Sequence, residues 1–262
     1  MTFSEESLKF LTWARKQKDA EWLAHHDAKH QRLIRASLLA LDDTVKQELA
    51  NEAPGYHFPT RGIGRIKKSS NKVALHGAPV KDWVSTIATP PAQSRFEKNP
   101  LLFFGLLPND PQWEGVVVAG GLYMASSIQT RRVRQAIADD SVRFKKLFSD
   151  RNFLKSFKSG FEPMVKTQKC PCGFDPDLPD IEWIKLKSFF VCKTVTNNEF
   201  SSQDLSKNIV RDFRQLLRLN EILQDAICSV PCDHIPVRSW PLFRARHLLR
   251  DVIESFKQEQ IH

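Results

Sequence analysis

An α+β fold is predicted, with a helical N-terminal segment, a central antiparallel β-sheet and C-terminal helices. Three observations predict it. Apolar residues recur at helical spacing through the first sixty positions and again beyond residue 200. Between them lie two uninterrupted apolar runs, Leu101–Leu107 and Gly115–Tyr123, separated by the turn-forming Pro108-Asn-Asp-Pro. Helices and strands are therefore grouped along the chain rather than alternated, which is the pattern of an α+β architecture.

The elements follow in order. Thr2-x-x-Glu5 or Ser4 caps a first helix that turns Leu8, Phe10 and Leu11 inward. A longer helix is expected over about Asp19–Leu49, with Trp22, Leu33, Leu38, Leu41, Val45 and Leu49 on its apolar stripe. His26 and His30 share that stripe, one turn apart. Pro54, Gly55, Pro59, Gly62 and Gly64 mark residues 51–64 as loop. The two apolar runs make a hairpin, and Gly120-Gly121 at its end predicts a bulge or the close approach of another backbone or a ligand. Helices are expected from Ser126 or Ser127 to Asp139, from Ser141, and around Asn152–Phe157. A turn of helix follows at Ile181–Leu186 and a strand at Ser188–Thr196. Ser201-x-x-Asp204 is expected to cap a long helix burying Leu205, Ile209, Leu216, Leu223 and Ile227. Pro231 and Pro236 stop it, and a last amphipathic helix is expected over Trp240–Gln258, carrying Leu242, Leu249, Val252, Ile253 and Phe256 on one side.

The chain has 262 residues, 39 of them Lys or Arg and 30 Asp or Glu, a formal net charge of +9. That composition excludes a disordered polyelectrolyte, a collagen and a coiled coil. The opening MTFSEES is acidic and no apolar signal core follows, and the apolar runs are too short to span a bilayer. A cytoplasmic protein with no membrane partner is expected. Five cysteines, with Cys170 and Cys172 too close for an ordinary disulfide, are read as reduced thiols.

The charge is unevenly spread. Residues 61–98 carry 8 basic and 2 acidic side chains, and residues 131–169 carry 11 basic and 4 acidic, whereas residues 1–60 carry 8 basic and 9 acidic. Two basic segments flanking an apolar centre point to an anionic partner.

Four blocks in order, Gly120-Gly-Leu-Tyr-Met124, Val133-Arg-Gln-Ala-Ile-Ala-Asp-Asp140, Gly173-Phe-Asp-Pro-Asp-Leu-Pro-Asp180 and Leu186-Lys-Ser-Phe189, resemble one family. It is the conserved hypothetical family of bacteria and fungi known as domain of unknown function 2461. Phe10-Leu11 and Glu21-Trp22 resemble its first helices, so the likeness runs over roughly 8–228. It implies one α+β domain over 1–228, with 229–262 a C-terminal extension whose amphipathic helix packs on it. The resemblance supplies a fold and no reaction.

The chain departs from the family in its most polar block, which reads approximately R-I-x-R-D-x-R-F-x-x-D-K-x-P-Y-K. Arg65, Ile66 and Lys68 match; Ser69 and Asn71 replace an Asp and an Arg. Pro79 and Lys81 close the block with Val80 in place of the Tyr. Lys18-Asp19-Ala20 stands where the family carries paired asparagines. If the block is a family active site, this chain holds half of it, so either its chemistry differs or it only binds.

The candidate site is accordingly a binding site: Arg65, Lys68, Lys72, His76 and Lys81 from the basic block, with Gly120, Gly121 and Tyr123 from the hairpin end. Arg offers bidentate hydrogen bonds to phosphate or carboxylate and Lys adds point charge. Gly62 and Gly64 would let backbone N–H groups reach an anion. In the expected geometry Arg65 stands beside Gly120-Gly121, Lys81 returns from the loop, and Tyr123 and His76 supply neutral hydrogen bonds or a proton. No metal or other cofactor is called for. His26 and His30 lack the Glu of a His-Glu-x-x-His motif, and Cys170-x-Cys172 is far in sequence from Cys228-x₃-Cys232-x-His234. Neither a nucleophile elbow nor a Gly-rich phosphate loop occurs. Asp175, Asp177 and Asp180 sit in a Pro-rich loop where turn and cap roles are the ordinary ones. Two functions are consistent with these residues: binding of a small anionic ligand in a basic cleft, or nucleic-acid binding through 61–98 and 131–169, with Phe96, Phe103, Phe104 and Trp113 as stacking platforms. Oligomeric state is not legible.

Overall fold

A computed structural model describes residues 3–228 except 18, 20, 60–61, 70–72, 74–78, 92–96 and 111–114. Helix α1 (Glu5–Arg15) is N-capped by Ser4 and buries Phe10, Leu11 and Ala14. The expected 19–49 helix is broken near its start. A short α2 (Glu21–His25) precedes α3 (Asp27–His30), which passes through a π-turn (Gln31–Arg35) into α4 (Ala36–Glu48). The break leaves Trp22 only partly buried, packed against the rim of the core.

Four strands, β1 (Val84–Ala88), β2 (Leu101–Leu107), β3 (Gly115–Leu122) and β4 (Phe189–Val195), form one sheet in sequence order, antiparallel throughout. The hairpin of β2 and β3 is where the apolar runs place it. β1 is an addition that the sequence reading lacked, because Val84-Ser-Thr-Ile-Ala88 is a run of five residues with only two large apolar ones. After β3 come α5 (Ser127–Asp139), α6 (Val142–Phe148), α7 (Arg151–Leu154) and α8 (Ile181–Ile184). β4 follows, then a one-turn α9 (Asn197–Phe200) and the long α10 (Leu205–Cys228).

Ser201 is not the cap of α10. The capping box lies five residues earlier, where Thr196 Oγ1 accepts from the Glu199 backbone N–H and caps α9. Ser126 is a side-chain cap of the predicted kind: its hydroxyl accepts from the Gln129 N–H at 3.2 Å.

The main core lies between one face of the sheet and the helices. Leu102, Phe104, Leu106, Val116, Val118, Leu122, Phe189 and Val191 meet Ile209, Phe213, Leu216, Leu223 and the buried stripe of α4. Gly120 permits this contact. A Cβ there would come within 2.9 Å of Leu216 Cδ1 and 3.0 Å of the Leu101 carbonyl oxygen, so the glycine sets how closely α10 lies on the sheet. Phe3 stacks on Phe200 with ring centroids 5.4 Å apart, tying the N-terminus to α9.

Candidate functional site

The basic block folds into a short two-stranded ribbon. Lys67 bridges Val80; the Lys68 N–H donates to Pro79 O at 2.9 Å and the Lys81 N–H to Ile66 O at 2.9 Å. Ile66 and Val80 are buried and anchor the ribbon, while Arg65 and Lys67 are exposed. Chain reversal thus brings the backbone of 65–68 beside that of 79–81, from more than a dozen residues away in sequence. Neither Arg65 nor Lys67 meets an acidic side chain among the described residues.

The ribbon is held from behind by the N-terminal helices. His30, buried in α3, bonds through Nε2 to the Gly64 carbonyl at 2.8 Å; a carbonyl only accepts, so that nitrogen carries the proton. Gly64 is left-handed, and a Cβ on it would meet Arg35 Cα at 3.2 Å. Its work is to let the loop pack on the π-turn. Gly62 is left-handed too, with open space around it, and closes the turn in which the Arg65 N–H donates to Gly62 O. Neither glycine is needed to admit an anion. Around His30 lies an aromatic cluster: Phe10 and Trp13 of α1, Trp22 of α2 and His26, with the Trp22 and His26 rings stacked at 4.8 Å and Trp13 edge-on to both. His26 Nδ1 bonds to Trp22 O at 2.8 Å. The two histidines are thus structural, and the described residues hold no group of three His, Cys, Asp or Glu side chains that would bind a metal.

Lys81 carries its ammonium 3.9 Å over the Trp83 ring, a cation–π contact. Asp82, between them in sequence, accepts from Asn109 Nδ2 at 3.0 Å and faces Arg15 at 3.5 Å. Arg15, Trp83 and Asn109 were absent from the sequence-based candidate set. Trp83 had a readable signal, since it stands two residues from Lys81 and an extended chain puts alternate residues on one side.

The hairpin-end residues lie elsewhere. Val84 is level with Val116 through Leu106, whereas Tyr123 follows Leu122, six residues further along β3. That is roughly 20 Å at 3.4 Å per residue. The expected placement of Gly120, Gly121 and Tyr123 beside Arg65 is therefore corrected: they stand at the opposite end of the sheet from the ribbon. Gly120 faces α10, as above. Gly121, at φ 125°, makes way for β4, since a Cβ there would lie 2.4 Å from Phe189 O. Tyr123 is buried, edge-on to Phe190 at 5.3 Å. Lys72 and His76 lie outside the described residues, as do Phe96, Trp113, Cys232, His234 and the extension 229–262. Phe103 and Phe104 are buried in the sheet and offer no stacking surface.

The acidic loop plays the ordinary roles. Asp175 Oδ1 accepts from the Asp177 N–H, and Asp180 accepts from Ser141 Oγ at 2.5 Å and pairs with Lys145 at 2.7 Å. Cys170, Cys172, Cys192 and Cys228 are free thiols.

A four-stranded antiparallel sheet backed by helices, with a polar ribbon at one end, is the architecture on which the family blocks fall. The family model of the conserved hypothetical protein group DUF2461 matches residues 6–221, and the chain belongs to that family. No curated protein and no solved structure matches it. No helix of the described residues is long and apolar enough to cross a membrane.

Proposed function

We propose that this protein binds a small anionic ligand, phosphate- or carboxylate-bearing, on the ribbon that carries Arg65, Lys67, Lys68 and Lys81. The observation that supports it is the pairing of 66–68 with 79–81, which sets two lysine-bearing segments side by side on a backed ribbon while Arg65 and Lys67 meet no described carboxylate. A bidentate guanidinium and flanking ammonium groups suit a compact anion. No described side chain near the ribbon pairs a nucleophile with a base, so the reading is of binding and no reaction is assigned.

The test is a calorimetric titration with inorganic phosphate, citrate and a short single-stranded oligonucleotide, on the native sequence and on Arg65→Met. Saturable binding of one of the small anions, lost in Arg65→Met, supports the reading. Binding that survives Arg65→Met, or no binding of either small anion, overturns it. Oligonucleotide binding with a steep fall of log K against log salt would replace it with nucleic-acid recognition.

A further inference from the structure

β2 and β3 read Leu-Leu-Phe-Phe-Gly-Leu-Leu and Gly-Val-Val-Val-Ala-Gly-Gly-Leu, apolar at every position rather than every second one. A strand of that kind belongs to a sheet buried on both faces. Yet α4 and α10 both pack on the face that carries Phe104, Val118 and Gly120. The other face holds a second apolar cluster of Phe103, Leu107, Val117, Ala119, Phe190 and Cys192, rimmed by Trp83, Ile87 and Met164, and no described helix contributes a side chain to it.

We propose that the C-terminal segment docks on this second face, with residues 240–258 lying as a helix along the strands. The inference is independent of the anion site. Three observations single out this occupant. The first is its place in the chain. In α10, Asn220 Nδ2 donates to Leu101 O, at the end of the sheet where β2 begins and β3 finishes. The helix runs eight residues beyond Asn220 to Cys228, about 12 Å past that contact. There Arg132 holds its last turn through Ile227 O at 2.7 Å. The chain thus leaves at the end from which the second face is reached by rounding the strand termini. The second is length. Residues 229–239 can stretch about 35 Å, more than the separation of packed layers at about 10 Å. A helix over 240–258 is about 28 Å long, matching strands of seven or eight residues at about 24–27 Å. The third is chemistry. Leu242, Leu249, Val252, Ile253 and Phe256 fall on one helical side, and Arg250, Glu254 and Lys257 lie off it, with Arg246 at its edge, an apolar stripe for an apolar face.

Cys192 reports on the face from the edge strand β4, level with Ala119 of β3. In the full-length chain with the other four cysteines replaced by Ser, its reaction with a maleimide is expected to be slow. Leu249→Asp/Val252→Asp/Phe256→Asp is expected to speed it by on the order of tenfold or more, with the far-ultraviolet dichroism of the body retained. An unchanged rate overturns the proposal. A second measurement stands whether or not that variant folds. Leu249→Cys, Val252→Cys and Phe256→Cys, introduced one at a time, are oxidised in dilute solution. A disulfide to Cys192 within one chain, from at least one position, supports docking. No disulfide from any position overturns it, and so does one formed only between differently tagged chains, which would make a second copy the occupant.

Discussion

The two basic segments of this chain, 61–98 and 131–169, look alike as sequence and behave differently in the fold. In the second, cations are drawn into the body. Arg143 pairs with Asp225 at 2.7 Å, Lys145 with Asp180 at 2.7 Å, and Lys166 with Glu182 at 2.8 Å. Arg132 and Arg134 donate to backbone carbonyls of Ile227 and Leu186. The pairing shows in the acids. Hydrogen bonds from Lys166 and Lys185 hold the exposed Glu182 carboxyl down to about 2, and Arg218, with the Phe153 N–H, does the same for Asp150. In the first segment Arg65 and Lys67 meet no described acid, and Lys81 lies on an aromatic face. The carboxylates that answer the second segment come from α10 (Asp225), from Asp180 and from Glu182 of α8, outside the segment. A count of charge per segment therefore overstates the cationic character of 131–169.

The comparison can be broken or sharpened by mutation. The largest effect is expected in the helical half, at the most deeply placed pair. Asp212 of α10 is 1% exposed, accepts from Ser156 Oγ at 2.6 Å and meets Lys193 Nζ at 2.5 Å. Asp212→Ala would strand a mostly buried ammonium, and about 3–5 kcal/mol should be lost in denaturant melts. A loss below about 1 kcal/mol would show that Lys193 escapes to water, and that this half is not locked by its charges.

Next comes a carboxyl that meets no cation among the described residues. Asp42 of α4 is 3% exposed and accepts from Thr86 Oγ1 at 2.8 Å; burial pushes its carboxyl up to about 6. In the unfolded chain it should titrate near 3.9. Between those values the native state holds more protons than the unfolded one, so stability falls as pH rises from about 4 to about 6. Asp42→Asn should remove that fall and raise stability at pH 8 by up to about 3 kcal/mol, with little change at pH 4. Equal effects at both pH values would mean that Asp42 ionises normally.

At the surface of 131–169, Lys145→Met should cost only about 0–1 kcal/mol, because the ammonium of its pair with Asp180 is half exposed. The smallest stability change is expected at Arg65→Met, within about 0.5 kcal/mol, as for a surface position away from caps and cores. There the readout that moves is anion binding. Should Arg65→Met instead unfold the protein, the ribbon's cations would be structural like those of the other segment, and the contrast would disappear.

The sequence by itself determined the strands at 101–107 and 189–195, most helices and the family, because those elements carry strong local patterns: long apolar runs, Ser caps, a 3.6-residue stripe. It missed β1, a run of only five residues with two large apolar ones, too short to stand out between loops, and it read one helix where α2, α3 and the π-turn stand. The site was half legible. Arg65, Lys68 and Lys81 are close in sequence, and local chain reversal sets their backbone segments side by side. Only the tertiary structure decided that Gly120, Gly121 and Tyr123 lie at the other end of the sheet, because a hairpin fixes its own register but says nothing of which end a distant loop reaches. Tertiary structure alone also decided which cations are answered by carboxylates. Ion pairing depends on distances of a few ångströms between residues as far apart in the chain as Arg214 and Glu52, 162 positions, and no local pattern encodes them.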